Sequence, residues 1–183
     1  MNVTSAADAH GGSADRAWSR QGGIATASRA SEWLEATVRR FDEYLGAEGL
    51  HRALGYLNSR TRFRFTGAYR FAPPLLCSIE IFDRDNPALT LVAAVPMETT
   101  YCSIVGADEA ALVVDDAAQD DRVRTHPARA QYAAYCGVPL RDASGIAFGT
   151  LCHFDPRPRI GSAEQLALLQ RVAPVVAAYA LSR

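Results

Sequence analysis

The chain has 183 residues, is 49% hydrophobic, and carries 19 basic against 20 acidic side chains for a formal net charge of -1. That length suits one domain with a tail, and the balanced charge gives no global field to hold a polyanion, so nucleic-acid binding in bulk has no support. No apolar run approaches the roughly 18 residues that cross a bilayer, and the N-terminus lacks the basic and apolar regions of a signal peptide, so no membrane partner and a cytoplasmic location are expected.

Residues 1–30 are rich in Ala, Ser and Gly without periodicity and read as a disordered tail, with the folded domain over 31–183. Ser31 suits the N-cap of a first helix whose one face carries Leu34, Val38, Phe41 and Leu45. Gly46 and Gly49 interrupt it. A second short helix follows, with Leu50, Leu54 and Leu57 on one side and Asn58 at its end. From Phe63 to Phe71 the odd positions Phe63, Phe65, Gly67, Tyr69 and Phe71 alternate with Arg64, Thr66, Ala68 and Arg70, which predicts a strand with one buried face. Pro73 and Pro74 make a turn, and the alternation of Cys77, Ile79 and Ile81 predicts the second strand of an antiparallel hairpin.

A third strand is expected over Leu91–Val95 and a fourth over Ala110–Val114, ending at Asp115 and Asp116. The polar stretch to Ala130, with Pro127, reads as loop plus a helical turn. Tyr132–Leu140 and Ile146–Phe154 form a second hairpin around Asp142-Ala143-Ser144-Gly145, where Gly145 supplies the positive φ such turns use. Pro139 lacks an N–H and belongs at an edge or bulge. The closing helix starts at Ser162, which has capping-box spacing to Gln165, and carries a stripe of Leu166, Leu169, Val172, Val176 and Tyr179. Pro174 inside it is expected to kink the helix or free the Gln170 carbonyl. Long βαβ units are missing, so the fold class is α+β, an antiparallel sheet flanked by helices.

The second hairpin carries a pattern of residues in fixed order. It runs Tyr135-Cys136-Gly137-Val138-Pro139-Leu140, then Gly145, then Phe148-Gly149-Thr150-Leu151-Cys152-His153-Phe154-Asp155, then Arg157-Pro158-Arg159. With Thr100-Tyr101-Cys102 and Val113-Val114-Asp115-Asp116-Ala117 upstream, and Asp121-Arg122 beyond them, this resembles bacterial GAF domains over about 31–181. The resemblance implies a PAS-related sheet of about six strands, helices on one side and a small-molecule pocket on the other. It implies a sensory or regulatory role, pairing of the terminal helices in a homodimer, and a signalling partner protein.

On that frame the pocket lies under Tyr101–Val105 and the Ala117–Ala130 loop. Tyr101, Asp116, His126, Tyr132 and Tyr135 are its nearest polar or amphipathic side chains. Tyrosines stack on a ring and hydrogen-bond from one side chain; the bland alternative is that all five only line or cover a core. Four cysteines, Cys77, Cys102, Cys136 and Cys152, show no C-x-x-C spacing and are expected as free thiols. One GAF branch reduces free methionine sulfoxide with cysteines, which makes Cys102 and Cys136 the candidate redox thiols. A ligand-free dimerisation module is the third reading. Cys152-His153 invites comparison with bilin attachment, but it sits in a strand, so no covalent chromophore and no other cofactor is expected. The cyclic-nucleotide signature of N-K, Phe and D-E is missing. Asp115 and Asp116 are adjacent, point to opposite faces of a strand, and suit a turn better than a catalytic pair. His126 and His153 lack metal-ligand spacing, and His51 reads as a solvated helix position.

Overall fold

A computed structural model describes residues 14–183, with side chains from 29 onward. The chain divides between Ala36 and Thr37. In the first unit the described residues, 14–36, are all helical. They are the start of α1 (Ala14–Glu48), whose remaining residues belong to the second unit. Ser31 is therefore a mid-helix residue rather than a cap. Alanine carries helix across a segment that has no apolar period to announce it. The disorder expected for residues 1–30 falls outside the described residues for 1–13, while 14–30 lie within α1.

In the second unit α2 (Leu50–Asn58) follows at once, and Gly49 makes the break with φ 85. Six strands then form one antiparallel sheet: β1 (Phe65–Ala72), β2 (Leu75–Asp83), β3 (Val95–Pro96), β4 (Leu112–Val114), β5 (Ala134–Arg141) and β6 (Ala147–Asp155). Their order is β3-β2-β1-β6-β5-β4, so the two expected hairpins meet along β1 and β6. α3 (Cys102–Asp108) and α4 (Ala163–Leu181) complete the fold.

Ser162 and Gln165 cap α4 reciprocally, as their spacing predicts, and α4 continues through Pro174, which leaves the Gln170 carbonyl without its usual donor. Asp142 Oδ1 accepts from the Ser144 and Ile146 amides, and Gly145 takes φ 87, which closes the β5–β6 turn. Pro139 lies beyond Gly137, the last β5 residue paired to β4, where β5 is itself an edge. Two expectations need correction. Phe63 lies before β1, is fully buried and stacks on His153, while Phe65 stacks on Phe154; the two neighbours on β6 point to opposite faces, so the odd-position stripe begins only at Phe65. The apolar run Leu91–Val95 is strand only at its last residue, and Leu91 and Val92 are exposed.

One sheet face is closed by α2 and α4. Thr66, Asn58 and His153 form a buried chain there: Asn58 Nδ2 donates to Thr66 Oγ1 at 2.9 Å, and Thr66 Oγ1 lies 2.7 Å from His153 Nδ1. Arg70 donates to the Ala180 carbonyl of α4 on the same face. His51 is not a solvated position. Its ring nitrogens lie 3.0 Å and 2.9 Å from the carbonyl oxygens of Ile81 and Pro87, tying α2 to β2. No helix among the described residues is long and apolar enough to cross a membrane.

Candidate functional site

The opposite face is built from three rows of paired residues across β1, β6 and β5. They are Phe65–Phe154–Tyr135, Gly67–Cys152–Gly137 and Tyr69–Thr150–Pro139. Directly paired residues share a face, so each row presents its side chains together. The middle row is a trough, since two of its three residues have no side chain. The Tyr69 ring leans over Gly67, where a Cβ would come within 2.6 Å of it, and the Tyr135 ring overlaps the place a Cβ of Gly137 would take. Cys102, the first residue of α3, descends onto the trough. Its Sγ lies 3.5 Å from Tyr135 Oη and accepts from Thr150 Oγ1 at 3.6 Å. The Cys152 thiol donates to the Gly67 carbonyl at 3.7 Å.

Aromatic rings wall this floor. Phe65 stacks on Phe154 at 4.8 Å, Tyr132 meets Phe154 edge-on at 4.9 Å, and Tyr101 packs on Tyr135 at 5.6 Å and on His126 at 5.3 Å. The Tyr101 hydroxyl donates to the Tyr132 carbonyl, and His126 Nε2 lies 3.2 Å from Ser103 Oγ. His126 Nδ1 also accepts from the Ala128 amide, which turns the 3-10 segment Pro127–Ala130 over the site. Tyr132 and His126 are half-buried and form its rim.

These side chains pack as one buried, nearly neutral part of the core, with Tyr101 and Tyr135 almost wholly covered. Burial raises the phenols of Tyr69, Tyr101, Tyr132 and Tyr135 above their ordinary value, so they stay protonated at neutral pH. Burial lowers His126, which keeps its imidazole neutral there. Cys102 goes the other way: the neighbouring Cys152 side chain, then Tyr135 and Thr150, interact with its sulfur and lower its pKa, while burial raises that of Cys152.

Four of the five expected ligand residues, Tyr101, His126, Tyr132 and Tyr135, come together here. Asp116 does not join them through its carboxylate, which accepts from the Ala118 amide and shapes a turn. Asp115 accepts from the Gly161 amide, so both adjacent carboxylates are structural. The expected thiol pair is rearranged. Cys136 follows Tyr135 in β5 and faces the other side of the sheet, fully buried, with burial raising its thiol to about 12. The thiol beside Cys102 is that of Cys152. Tyr69 and Thr150 are site residues that sequence reasoning did not name, and Cys152 was weighed only for bilin attachment, not as the neighbour of Cys102. Their signal was the alternation in β1 and β6, but which strands lie side by side is not written in a period of two. Among the described residues no cluster of His, Cys, Asp and Glu suits a metal ion.

Comparison with solved structures places this architecture among known ones. The GAF domain of an Acinetobacter phosphoenolpyruvate-protein phosphotransferase superposes with a TM-score of 0.66 at 13% identity, covering 82% of this chain and 94% of that one. The free methionine-R-sulfoxide reductase of Neisseria meningitidis, in complex with its substrate, gives 0.65 at 14% identity, covering 84% and 91%. The GAF domain of a Coxiella burnetii phosphoenolpyruvate-protein phosphotransferase gives 0.61 at 13% identity, covering 79% and 90%. At such identities the likeness is one of fold. A search of curated protein sequences finds no match. The family model for the GAF domain matches residues 29–179, which takes in all six strands and nearly all of α4, and the chain therefore belongs to the GAF domain family.

Proposed function

We propose that this is a sensory or regulatory GAF module that takes a small, neutral, planar organic molecule on the aromatic face. The supporting observation is the combination of rings and neutrality. Tyr101, Tyr132, Tyr135 and Phe154 offer π-faces, and the three tyrosine hydroxyls and His126 offer hydrogen bonds. A charged ligand would find no countercharge among the rings and would lose its hydration on entry. The ligand would displace Tyr132 and the segment around His126, the half-buried rim, and α3 would move with it. Occupancy would pass to a partner protein or to a second copy through α1 and α4. A homodimer in the cytoplasm is part of this reading.

Native mass spectrometry of freshly purified protein, followed by thermal-shift titration with indole, nicotinamide and adenine, tests it. At a ligand concentration of about 100 times Kd the stabilisation is about 2.7 kcal/mol, or a rise in Tm of about 5–10 °C. Tyr132→Ala is expected to remove most of the shift. A protein that carries no adduct and shifts with none of the three probes overturns the reading.

The buried thiols support a second reading, a thiol-dependent reductase of free methionine sulfoxide. Two thiols and one sulfoxide would give a disulfide, a thioether and water, with Cys102 as the attacking sulfur because its pKa is lowered, and Cys152 closing the disulfide. The zwitterionic substrate fits the neutral rings less well than the first ligand class does. Assayed separately, Cys102→Ser and Cys152→Ser are expected to abolish turnover and Cys136→Ser to retain it. Negligible turnover in the unmodified protein ends this reading.

A further inference from the structure

A second feature lies at the end of the sheet where β1 begins and β2 and β6 finish. Five arginines, Arg62, Arg64, Arg84, Arg157 and Arg159, line a cleft of about 160 Å³ there. Three carboxylates face them. Asp83 is clamped by Arg64 through two 2.8 Å bonds, Asp85 lies 3.2 Å from the same guanidinium, and Asp155 pairs with Arg159 at 2.8 Å. Five guanidiniums against three carboxylates leave two positive charges in one small concavity.

The partners divide the arginines into two groups. Arg64 and Arg159 are held by the carboxylates. Arg84 donates only to neutral oxygens, Asn58 Oδ1 and the carbonyls of Asn58 and Thr61, so it is fixed in place with its charge uncompensated. Arg62 and Arg157 are exposed, and their guanidiniums have no hydrogen-bond or ion-pair partner among the described residues. Asp155 does not oppose an incoming anion. Its buried carboxylate is already occupied by the backbone amides of Arg64 and Arg157 and by Arg159 Nε. Arg62 and Arg157 are therefore free to turn toward an anion, beside Arg84, which has no countercharge among its own partners.

We propose that this cleft binds a phosphate group, as inorganic phosphate or as the phosphate end of a small monoester. The excess charge of two matches the phosphate dianion, and forked guanidinium donors match a tetrahedral oxyanion. A cleft of about 160 Å³ has room for one phosphate with some hydration. The cleft also touches the aromatic face. The Arg64 guanidinium lies over the Phe65 ring at 4.7 Å, and Phe65 stacks on Phe154. An anion that pulls Arg64 from Asp85 would therefore load the first row of the ligand site. The proposal does not depend on the ligand reading above.

Calorimetric titration with inorganic phosphate, and separately with methyl phosphate, in low-salt chloride buffer tests it. Saturable binding at one site per chain is expected with both. The double variant Arg62→Gln/Arg157→Gln should weaken both by about tenfold or more with an unchanged Tm, because neither side chain has a structural partner. Arg171→Gln, an exposed change on α4, should leave binding unaltered. Tighter binding of methyl phosphate than of phosphate assigns the site to a phosphorylated metabolite, and the reverse order to free phosphate. Binding that does not saturate, or that is equal in the double variant, overturns the proposal.

Discussion

Replacing Gly149 by alanine is expected to destabilise the domain by about 3 kcal/mol and to lower its Tm by about 6–12 °C. Gly149 lies in β6, paired to Arg70 of β1 on one side and Leu140 of β5 on the other. A methyl group there would overlap the backbone carbonyl oxygen of Tyr69. The pairing of β1 with β2 shifts register between Ala68 and Tyr69, at the residue whose carbonyl meets Gly149. When a methyl meets the end of a flexible side chain, a rotamer change absorbs it and the cost stays near 1 kcal/mol. Here the obstacle is backbone in a strand held on both sides, so relief requires moving β1 against β2 or β6. Gly46→Ala is the matched control, because nothing lies within 4 Å of its added methyl and the position is helical. It is expected to be neutral or to stabilise by up to about 1 kcal/mol. Urea denaturation of the three proteins decides the matter, and a loss below about 1 kcal/mol in Gly149→Ala would sink the argument.

That glycine belongs to the Gly-Thr-Leu-Cys segment that carried the family resemblance, and the structure gives each position a physical reason. Gly149 admits the Tyr69 carbonyl, Thr150 donates to Cys102, Leu151 fills the face covered by α4, and Cys152 floors the trough. Features of this kind were legible because they are local. The Asp142–Gly145 turn, the Ser162 cap and the two hairpins are each decided within about ten residues. What was not legible is non-local. No period in β1 says that its outer neighbour is β6, so the resemblance that put forward Cys102 and Cys136 had no pattern in the chain to set Cys152 beside Cys102. Leu91–Val95 has the composition of a strand, but only Val95 and Pro96 pair, with Leu76 and Leu75, while a ladder-like bond from the Ile81 amide goes to the carbonyl of Thr90, just ahead of the run. The start of α1 escaped for the opposite reason: helix propensity without an apolar face leaves no periodic mark. At the site, aromatic residues were visible as candidates, but the trough that lets Tyr69 and Tyr135 lie flat depends on Gly67 and Gly137 flanking Cys152, a juxtaposition of three strands.

Acid is expected to destabilise the domain well above the pH at which its carboxylates protonate, and His153 is the reason. The ring is buried under α2 and α4, stacked 5.8 Å from Phe63, with Nδ1 against Thr66 Oγ1. With Asn58 donating to Thr66 Oγ1, the hydroxyl proton is free to bond an unprotonated Nδ1. Burial, reinforced by the Arg84 charge, lowers the pKa of His153 to about 3. In the unfolded chain the same side chain titrates near 6.5. Above that value both states are neutral and the stability is whole. As the pH falls below it, the unfolded chain takes up a proton that the folded one refuses, and stability drops by up to about 1.4 kcal/mol per pH unit until the folded value is reached. Between pH 6.5 and 4.5 the loss is about 2–3 kcal/mol. The carboxylates of Asp83, Asp120 and Asp142, lowered from 3.8 by their hydrogen bonds, add their own loss only below that window. His126, also lowered by burial, contributes in the same direction, so the decisive comparison is by difference. His153→Gln keeps an acceptor for Thr66 but cannot titrate. It should be less stable than the unmodified protein at pH 7.5 and should lose about 2 kcal/mol less on going to pH 4.5. Parallel stability curves for the two proteins across that range would show that the buried imidazole is not what resists the proton.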